Sequence, residues 1–390
     1  MSLFAELLVT VDMPAEGAGA PMAVDEERDL LFIPTGAPTP DHFSSHRKGI
    51  DYFGSALVTL KASTGELIWH FQTVHHDLWD YDLPAQPTLT NITKNGKNIP
   101  AVIQPTKMGM FFMFNRETGE PIFEIEERPV PQTKIPGEVT SPTQPFPVKP
   151  LPLVPHTLSA ENVWGLTYFD KKDCREKLEK IVNEGIYTPP LLDKDILVYP
   201  GITGGSNWGG IAVDPNHQIL VANVMNLAWT LKLYKSDNYN EDEKKGVPYK
   251  VRRRLLTSFL HLPCCPPPWG TLAGIDLKTG DILWQRPLGT VRDISPIPLP
   301  VEFGVPNIGG PLVTASGLIF VGATMDDYIR AFDLFSGEEI WKERLPAGGQ
   351  ATPMTYRLNK TGKQYIVIAA GGHGKMKTTL GDAIIAYALP

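Results

Sequence analysis

The chain has 390 residues, of which 42% are hydrophobic and 20% charged, and its formal net charge is −7. The acidic balance argues against a general nucleic-acid binder, and the length exceeds what one small core needs, so one repeat-built domain or two ordinary domains would fit. With 35 glycines and 37 prolines, turns must be frequent, which favours an all-β globular protein. The opening "MSLFAELLVTVDMPAEG" (1–17) has a short apolar run but neither the basic flank of a signal peptide nor the length of a membrane span. That leaves two expectations: a cytoplasmic protein, or one whose true N-terminus lies upstream.

The first strand–turn–strand pattern is "APMAVDEERDLLFIPTG" (20–36). Then "LVTLKASTGELIWHFQT" (57–73) pairs alternating apolar residues with a Gly-containing turn and ends on an aromatic, the signature of a hairpin. Related stretches follow at 110–126, 272–288 and 329–345. Trp69 and Phe123 lie 54 residues apart, and Trp284 and Trp341 lie 57 apart. A period near that length suits a four-stranded propeller blade with its loops. "GGIAVDPNHQILVANV" (209–224) and "GGPLVTASGLIFVGAT" (309–324) complete further blades as inner strands, which makes about five in all. The pattern starts without a clear first blade, so a fragment of a larger ring is expected.

Between the blades lie three irregular segments. Residues 129–155 hold nine prolines and predict an extended surface loop. Residues 170–185 place Leu178, Ile181 and Val182 at helical spacing before Gly185, predicting one short helix. Residues 235–254 are polar and predict a mobile loop, with "HRK" (46–48) and "KVRRR" (250–254) as solvated surface.

The densest polar stretch is "TVHHDLWDYDLPAQP" (73–87), directly after the Trp69 strand. A metal site would use His75, His76 and an aspartate, but adjacent histidines point to opposite sides of an extended chain. Asp77, Asp80 and Asp82 could instead cap turns. Alternatively, one aspartate is a general base beside an aromatic wall of Trp79 and Tyr81. The residues alone leave these readings open.

The repeats, joined to "HHDLWDYDLPAQP", resemble the quinoprotein dehydrogenases that use pyrroloquinoline quinone (PQQ), specifically the branch of membrane-bound glucose dehydrogenase and its quinate and polyol relatives. Supporting stretches include "NWGGIAVDPN", "LPAGGQATPMTY" and "AAGGHGK". The resemblance implies an eight-bladed β-propeller of which this chain holds about five blades. It implies oxidation of a sugar or cyclic polyol, with electrons passed to ubiquinone, in the periplasm at the inner membrane. Asp80, the aspartate of L-W-D, would be the catalytic base. Lys107, 27 positions later, would stabilise charge developing on the quinone. Asn223, Asp326, His373 and Thr39 match cofactor-side positions. A Ca²⁺ or Mg²⁺ ion would act as Lewis acid. Its ligands, the quinone-carboxylate site and the membrane anchor are expected upstream.

The chain departs from the family pattern in two places. "AEGAGAPMAV" (15–24) has no tryptophan where relatives carry a platform for the quinone, and Ala37 stands where alcohol-oxidising relatives place a metal-binding asparagine. The chain alone is therefore expected to bind PQQ poorly, and an inactive propeller fragment or binding scaffold is the alternative reading. Cys264 is the position shared with the glucose branch. Cys174 is its preferred partner in a disulfide, with free thiols as the alternative.

Overall fold

A computed structural model describes residues 20–44, 47, 51–236, 248–294 and 301–388. The start of the chain, including most of the platform-tryptophan position, and residues 237–247 lie outside them.

Among the described residues, five blade-like antiparallel sheets follow one another in sequence. Blade I holds β1 (Ala23–Asp25), β2 (Leu30–Pro34), β3 (Ala56–Lys61) and β4 (Leu67–Gln72). Blade II holds β5 (Thr88–Lys94), β6 (Lys97–Pro105) and β7 (Phe111–Asn115), with a single Phe114–Pro121 bridge where a fourth strand would run. A ribbon of β8 (Ile125–Pro129) and β9 (Thr143–Pro147) comes next, then the helix α1 (Tyr168–Leu178) and the short strand β10 (Ile196–Val198). Blade III starts with β11 (Ile211–Asp214) and β12 (Ile219–Met225). It is then interrupted by the hairpin β13 (Trp229–Lys235) and β14 (Tyr249–Leu255), which pairs with β10 as a separate sheet. Blade III resumes with β15 (Gly270–Asp276) and β16 (Ile282–Pro287). Blade IV holds β17 (Leu312–Val313), β18 (Leu318–Val321), β19 (Tyr328–Asp333) and β20 (Glu339–Arg344). Blade V holds β21 (Met354–Arg357), β22 (Gln364–Ala370) and β23 (Ala383–Ala388). The first strands β1, β5, β11 and β17 neighbour one another in that order, as innermost strands around an axis do.

Each interior strand is sandwiched between two neighbouring sheets, and period-2 alternation divides its side chains between them. On β12, Leu220, Ala222 and Val224 pack against blade II through Ile103, Phe111 and Met113. Val221, on its opposite face, packs against Ile319 and Val321 of blade IV. All seven residues of β12 are buried as a result.

The repeated turn glycine is explained by the blade before it. Trp69 Nε1 donates to Arg116 O at 2.9 Å, and Trp284 Nε1 donates to Leu334 O at 2.9 Å. A Cβ at Gly119 would stand 2.7 Å from the Trp69 ring, and one at Gly337 would stand 2.4 Å from the Trp284 ring. Both glycines also have φ near +70°, so space and backbone each require glycine there. Truncating Trp284 to alanine removes the ring and its hydrogen bond from the interface of blades III and IV. We expect a loss of about 3 kcal/mol, read as a lowered urea midpoint.

The structure corrects three expectations. The helix runs only over Tyr168–Leu178, capped by Thr167, whose side chain accepts from the Asp170 amide. Val182 instead forms a parallel bridge to Ile196. The Pro-rich 129–155 segment is partly a strand ribbon, with its prolines in β8 and β9 set mainly at strand ends. It docks back on the polar stretch: Gln144 accepts from His75 N at 2.8 Å and donates to His75 O at 2.7 Å. Tyr249–Leu255 is strand β14, with a seven-residue register against β13, where a mobile loop was expected.

Candidate active site

Asp80 lies on the loop from β4 to β5, and Lys107 on the turn from β6 to β7. The register Thr88↔Ile103 and Pro105↔Phe111 puts both at the same end of blade II. Lys107 Nζ lies 3.2 Å from Asp80 Oδ1, contacts Asp82 Oδ1, and donates to Asp80 O at 2.8 Å.

Asp77 fixes the shape of the Asp80 loop. Its carboxylate accepts from Trp79 N and Tyr81 N, both at 2.8 Å, and from Ser55 Oγ at 2.8 Å. Between those two amides Asp80 adopts φ +63°, a conformation that aspartate tolerates better than most residues. The Arg47 guanidinium donates to Asp77 O at 2.8 Å and pairs with Asp51 at 2.6 Å. Trp79 and Tyr81 are fully buried. Trp79 Nε1 donates to Thr188 O at 2.7 Å, and Tyr81 OH donates to Pro200 O at 2.7 Å. They anchor the loop from within the core and form no open aromatic wall beside Asp80, which corrects that expectation. His75 and His76 face different partners: His75 reaches Glu127 at 3.1 Å, while His76 meets Ser44, Glu138 and Asp51.

Burial pushes the Asp80 carboxyl up to about 7, against the pull of Lys107, with Asp82 adding to the rise. Burial pulls the Lys107 pKa down, but Asp82 and Asp80 outweigh it, and the ammonium is held above its usual range. The site thus pairs a carboxylate that changes protonation near neutrality with a lysine that stays charged. That is the electrostatic condition for a general base beside a fixed cation.

The remaining sequence-predicted residues are spread over blades I and III–V. Asn223 on β12 donates to Asn307 Oδ1 at 2.6 Å and to Gly309 O at 2.9 Å, while its own Oδ1 is buried without a partner. Its strand end connects to the lysine turn: Met225 N donates to Gly205 O, and Gly205 N donates to Lys107 O. Asp326 is paired with buried Arg330 at 2.5 Å and also accepts from Thr324 Oγ1 and Thr290 N. Its carboxylate is thus committed within and around blade IV. His373 accepts from Met376 N through Nδ1, with its ring 6.2 Å from Trp208, which is 57% exposed. Thr39 is exposed on the loop after β2.

Three residues of the Asp80 cluster escaped the sequence reading of roles. Asp82 was expected to hold the turn but contacts Lys107, a pairing set by the left-handed backbone at Asp80 rather than by any strand periodicity. Arg253, read as solvated surface, lies 3.8 Å from Asp80 Oδ2. His42 is buried and joins Leu78 O at 3.0 Å; nothing local in the sequence marks it.

Residues that fit a bound quinone are present: a charged lysine beside a titrating carboxylate, and the orphaned, buried Asn223 carbonyl. Among the described residues, no three His, Cys, Asp or Glu side chains converge as a metal-ligand set.

Cys174 and Cys264 form a disulfide and Cys265 is a buried free thiol. Burial raises Cys265 to about 11, so the vicinal cysteine is protonated and inert at neutral pH. Among the described residues, no helix is long and apolar enough to cross a membrane.

The quinohemoprotein alcohol dehydrogenase of Comamonas testosteroni shares the fold with a TM-score of 0.62 at 18% identity, over 96% of this chain and 48% of that one. Blade architecture and this likeness define the fold class: an all-β protein of propeller-type blades. More particularly, the chain belongs to the PQQ glucose/ethanol/alcohol dehydrogenase β-propeller family, whose model matches residues 12–366. It is 44% identical to the quinoprotein glucose dehydrogenase of Escherichia coli K12, over 95% of this chain and 49% of that protein. It is 41% identical to the quinate/shikimate dehydrogenase (quinone) of Acinetobacter baylyi, over 95% of this chain and 48% of that protein. The chain thus spans about half the length of these relatives.

Proposed function

We propose that this chain forms the Asp80–Lys107 side of a PQQ-dependent dehydrogenase that oxidises a CH–OH group of a sugar or cyclic polyol. The observation that carries the proposal is the buried lysine held against Asp80, whose carboxyl titrates near neutrality. When bound, PQQ supplies a two-electron acceptor for the hydride that leaves the carbinol carbon. Asp80 takes the proton of the substrate hydroxyl, since an alkoxide-like oxygen is what releases a hydride. Lys107 holds Asp80 in place through the Asp80 side chain and carbonyl, and its charge favours negative charge developing nearby. Asn223, His373, Asp326 and Thr39 are proposed as cofactor-side positions, with the Asn223 carbonyl the one that lacks a donor.

Electrons pass onward to ubiquinone, and the protein works in the periplasm at the inner membrane. The disulfide suits that oxidising compartment. The test is dye-linked oxidation of glucose, quinate and polyols by the chain joined behind the preceding half of the E. coli relative and loaded with PQQ. Turnover of at least one substrate is expected, and a folded, PQQ-bound chimera without turnover would overturn the reading.

The kcat/KM profile should show an acid limb near pH 7, rising as Asp80 loses its proton. Asp82→Asn removes a charge that raises the Asp80 pKa and leaves Lys107 to Asp80 alone, so the limb should move to lower pH. Lys107→Met removes the lowering influence, so the limb should move to higher pH. Limbs that stay in place in both variants would separate the profile from Asp80.

A further inference from the structure

We infer that Arg253 is a specificity-determining residue that anchors the carboxylate of an acidic cyclic polyol beside Asp80. The inference rests on the dehydrogenase reading and narrows its substrate class. Arg253 comes from β14 of the hairpin inserted in blade III, not from a blade strand. Among the described residues, its guanidinium meets Asp80 and His42. Nη1 lies 3.8 Å from Asp80 Oδ2, beyond hydrogen-bond reach, and 3.5 Å from His42 Nε2, a long contact.

His42 explains the aim of the arginine. It is buried, and burial pushes its ring down to about 4, so it is neutral at neutral pH. Its Nδ1–H then donates to Leu78 O, which leaves Nε2 as an acceptor facing Arg253. The same imidazole thus braces the Asp80 loop and orients the guanidinium. Arg252, next in the strand, is already committed: Nη2 donates to both oxygens of Asp195, at 3.1 and 2.8 Å.

The two cations address different oxygens of Asp80. Lys107, with its side chain 9% exposed, takes Oδ1 from within the protein. Arg253, 36% exposed, faces Oδ2 from the open side. A guanidinium fork open to solvent and held near the base without a full hydrogen bond to it matches a carboxylate in bidentate geometry. A small ring could then place its carboxylate on Arg253 and a hydroxyl on Asp80. Without that cation, an acid entering beside Asp80 and Asp82 would be repelled.

The test measures binding, not turnover, by calorimetry or NMR on the whole chain with two probes, quinate and its uncharged methyl ester. Quinate should bind about tenfold or more tightly than the ester, as expected for one charge-assisted contact. Arg253→Leu and Arg253→Gln should each bring that ratio close to one, while Arg254→Leu on the same strand should keep it. Equal binding of the two probes, binding of neither, or a preference that survives both Arg253 variants would overturn the proposal. So would an Arg253 variant that weakens only PQQ binding, because the carboxylate served would then be the cofactor's. Selective binding by the chain together with no turnover by the folded, PQQ-loaded chimera would sink the dehydrogenase reading while leaving the Arg253 site standing.

Discussion

Asp80→Asn is expected to lower kcat about 10²- to 10⁴-fold, the span associated with a lost general base. The change is close to isosteric. Asparagine tolerates the positive φ of this position as well as aspartate does. Its side-chain oxygen can still accept from Lys107, and the backbone carbonyl that Lys107 also uses is untouched. Asp82 continues to neutralise the buried ammonium. The variant should therefore fold and bind the cofactor like the parent while lacking any atom able to take the hydroxyl proton. Steady-state kinetics beside a thermal melt separates the two effects. A fall in kcat with an unchanged melting point is expected, and retained kcat would place the base elsewhere.

Breaking the Cys174–Cys264 bridge is expected to destabilise the chain by about 4 kcal/mol. The two cysteines are 90 residues apart, a loop long enough for the cross-link to remove much of the unfolded chain's freedom. Both sulfurs are buried in a cluster that includes Leu178, Tyr199, Leu227 and Trp269, so reductant must wait for an opening. The bridge joins α1 to the segment after β14, and the hairpin bearing Arg253 lies within the loop it closes. Cys174→Ala/Cys264→Ala should show the full loss in urea denaturation. Wild type refolded under reducing conditions should match the variant. Cys265→Ala should leave the bridge intact and cost less, because that thiol has no covalent role.

The blades were legible in the sequence because their logic is local. Each hairpin carries its own alternation, its turn glycine and its aromatic, and the docking of Trp69 on Gly119 repeats as Trp284 on Gly337. The interrupted blade III was not legible. Its β12 and β15 pair across an inserted hairpin, and no local pattern announces that pairing. In that hairpin, three consecutive arginines look like a solvated run. Only the β13–β14 register and the packing of the hairpin beside the Asp80 loop send Arg252 to Asp195 and Arg253 toward Asp80. The Pro-rich ribbon was hidden for a related reason: proline suggests loop until a partner strand lets it sit at strand ends. Within the site, family spacing singled out Asp80 and Lys107, which the structure brings together. It did not reveal that Asp82 shares the lysine or that Asp77 sets the backbone of the loop.

The most direct measurement is an anaerobic single turnover, with the absorbance of bound PQQ recorded after mixing with glucose, quinate or a polyol at pH 8. The protein is the chain completed by the preceding half of its E. coli relative, beside its Asp80→Asn variant. Rapid reduction of the quinone by at least one substrate, and reduction slower by about 10² or more in the variant, is the expected result. Bound quinone that stays oxidised with every substrate, or that is reduced equally fast in both proteins, would contradict Asp80 as the base of a PQQ-dependent oxidation.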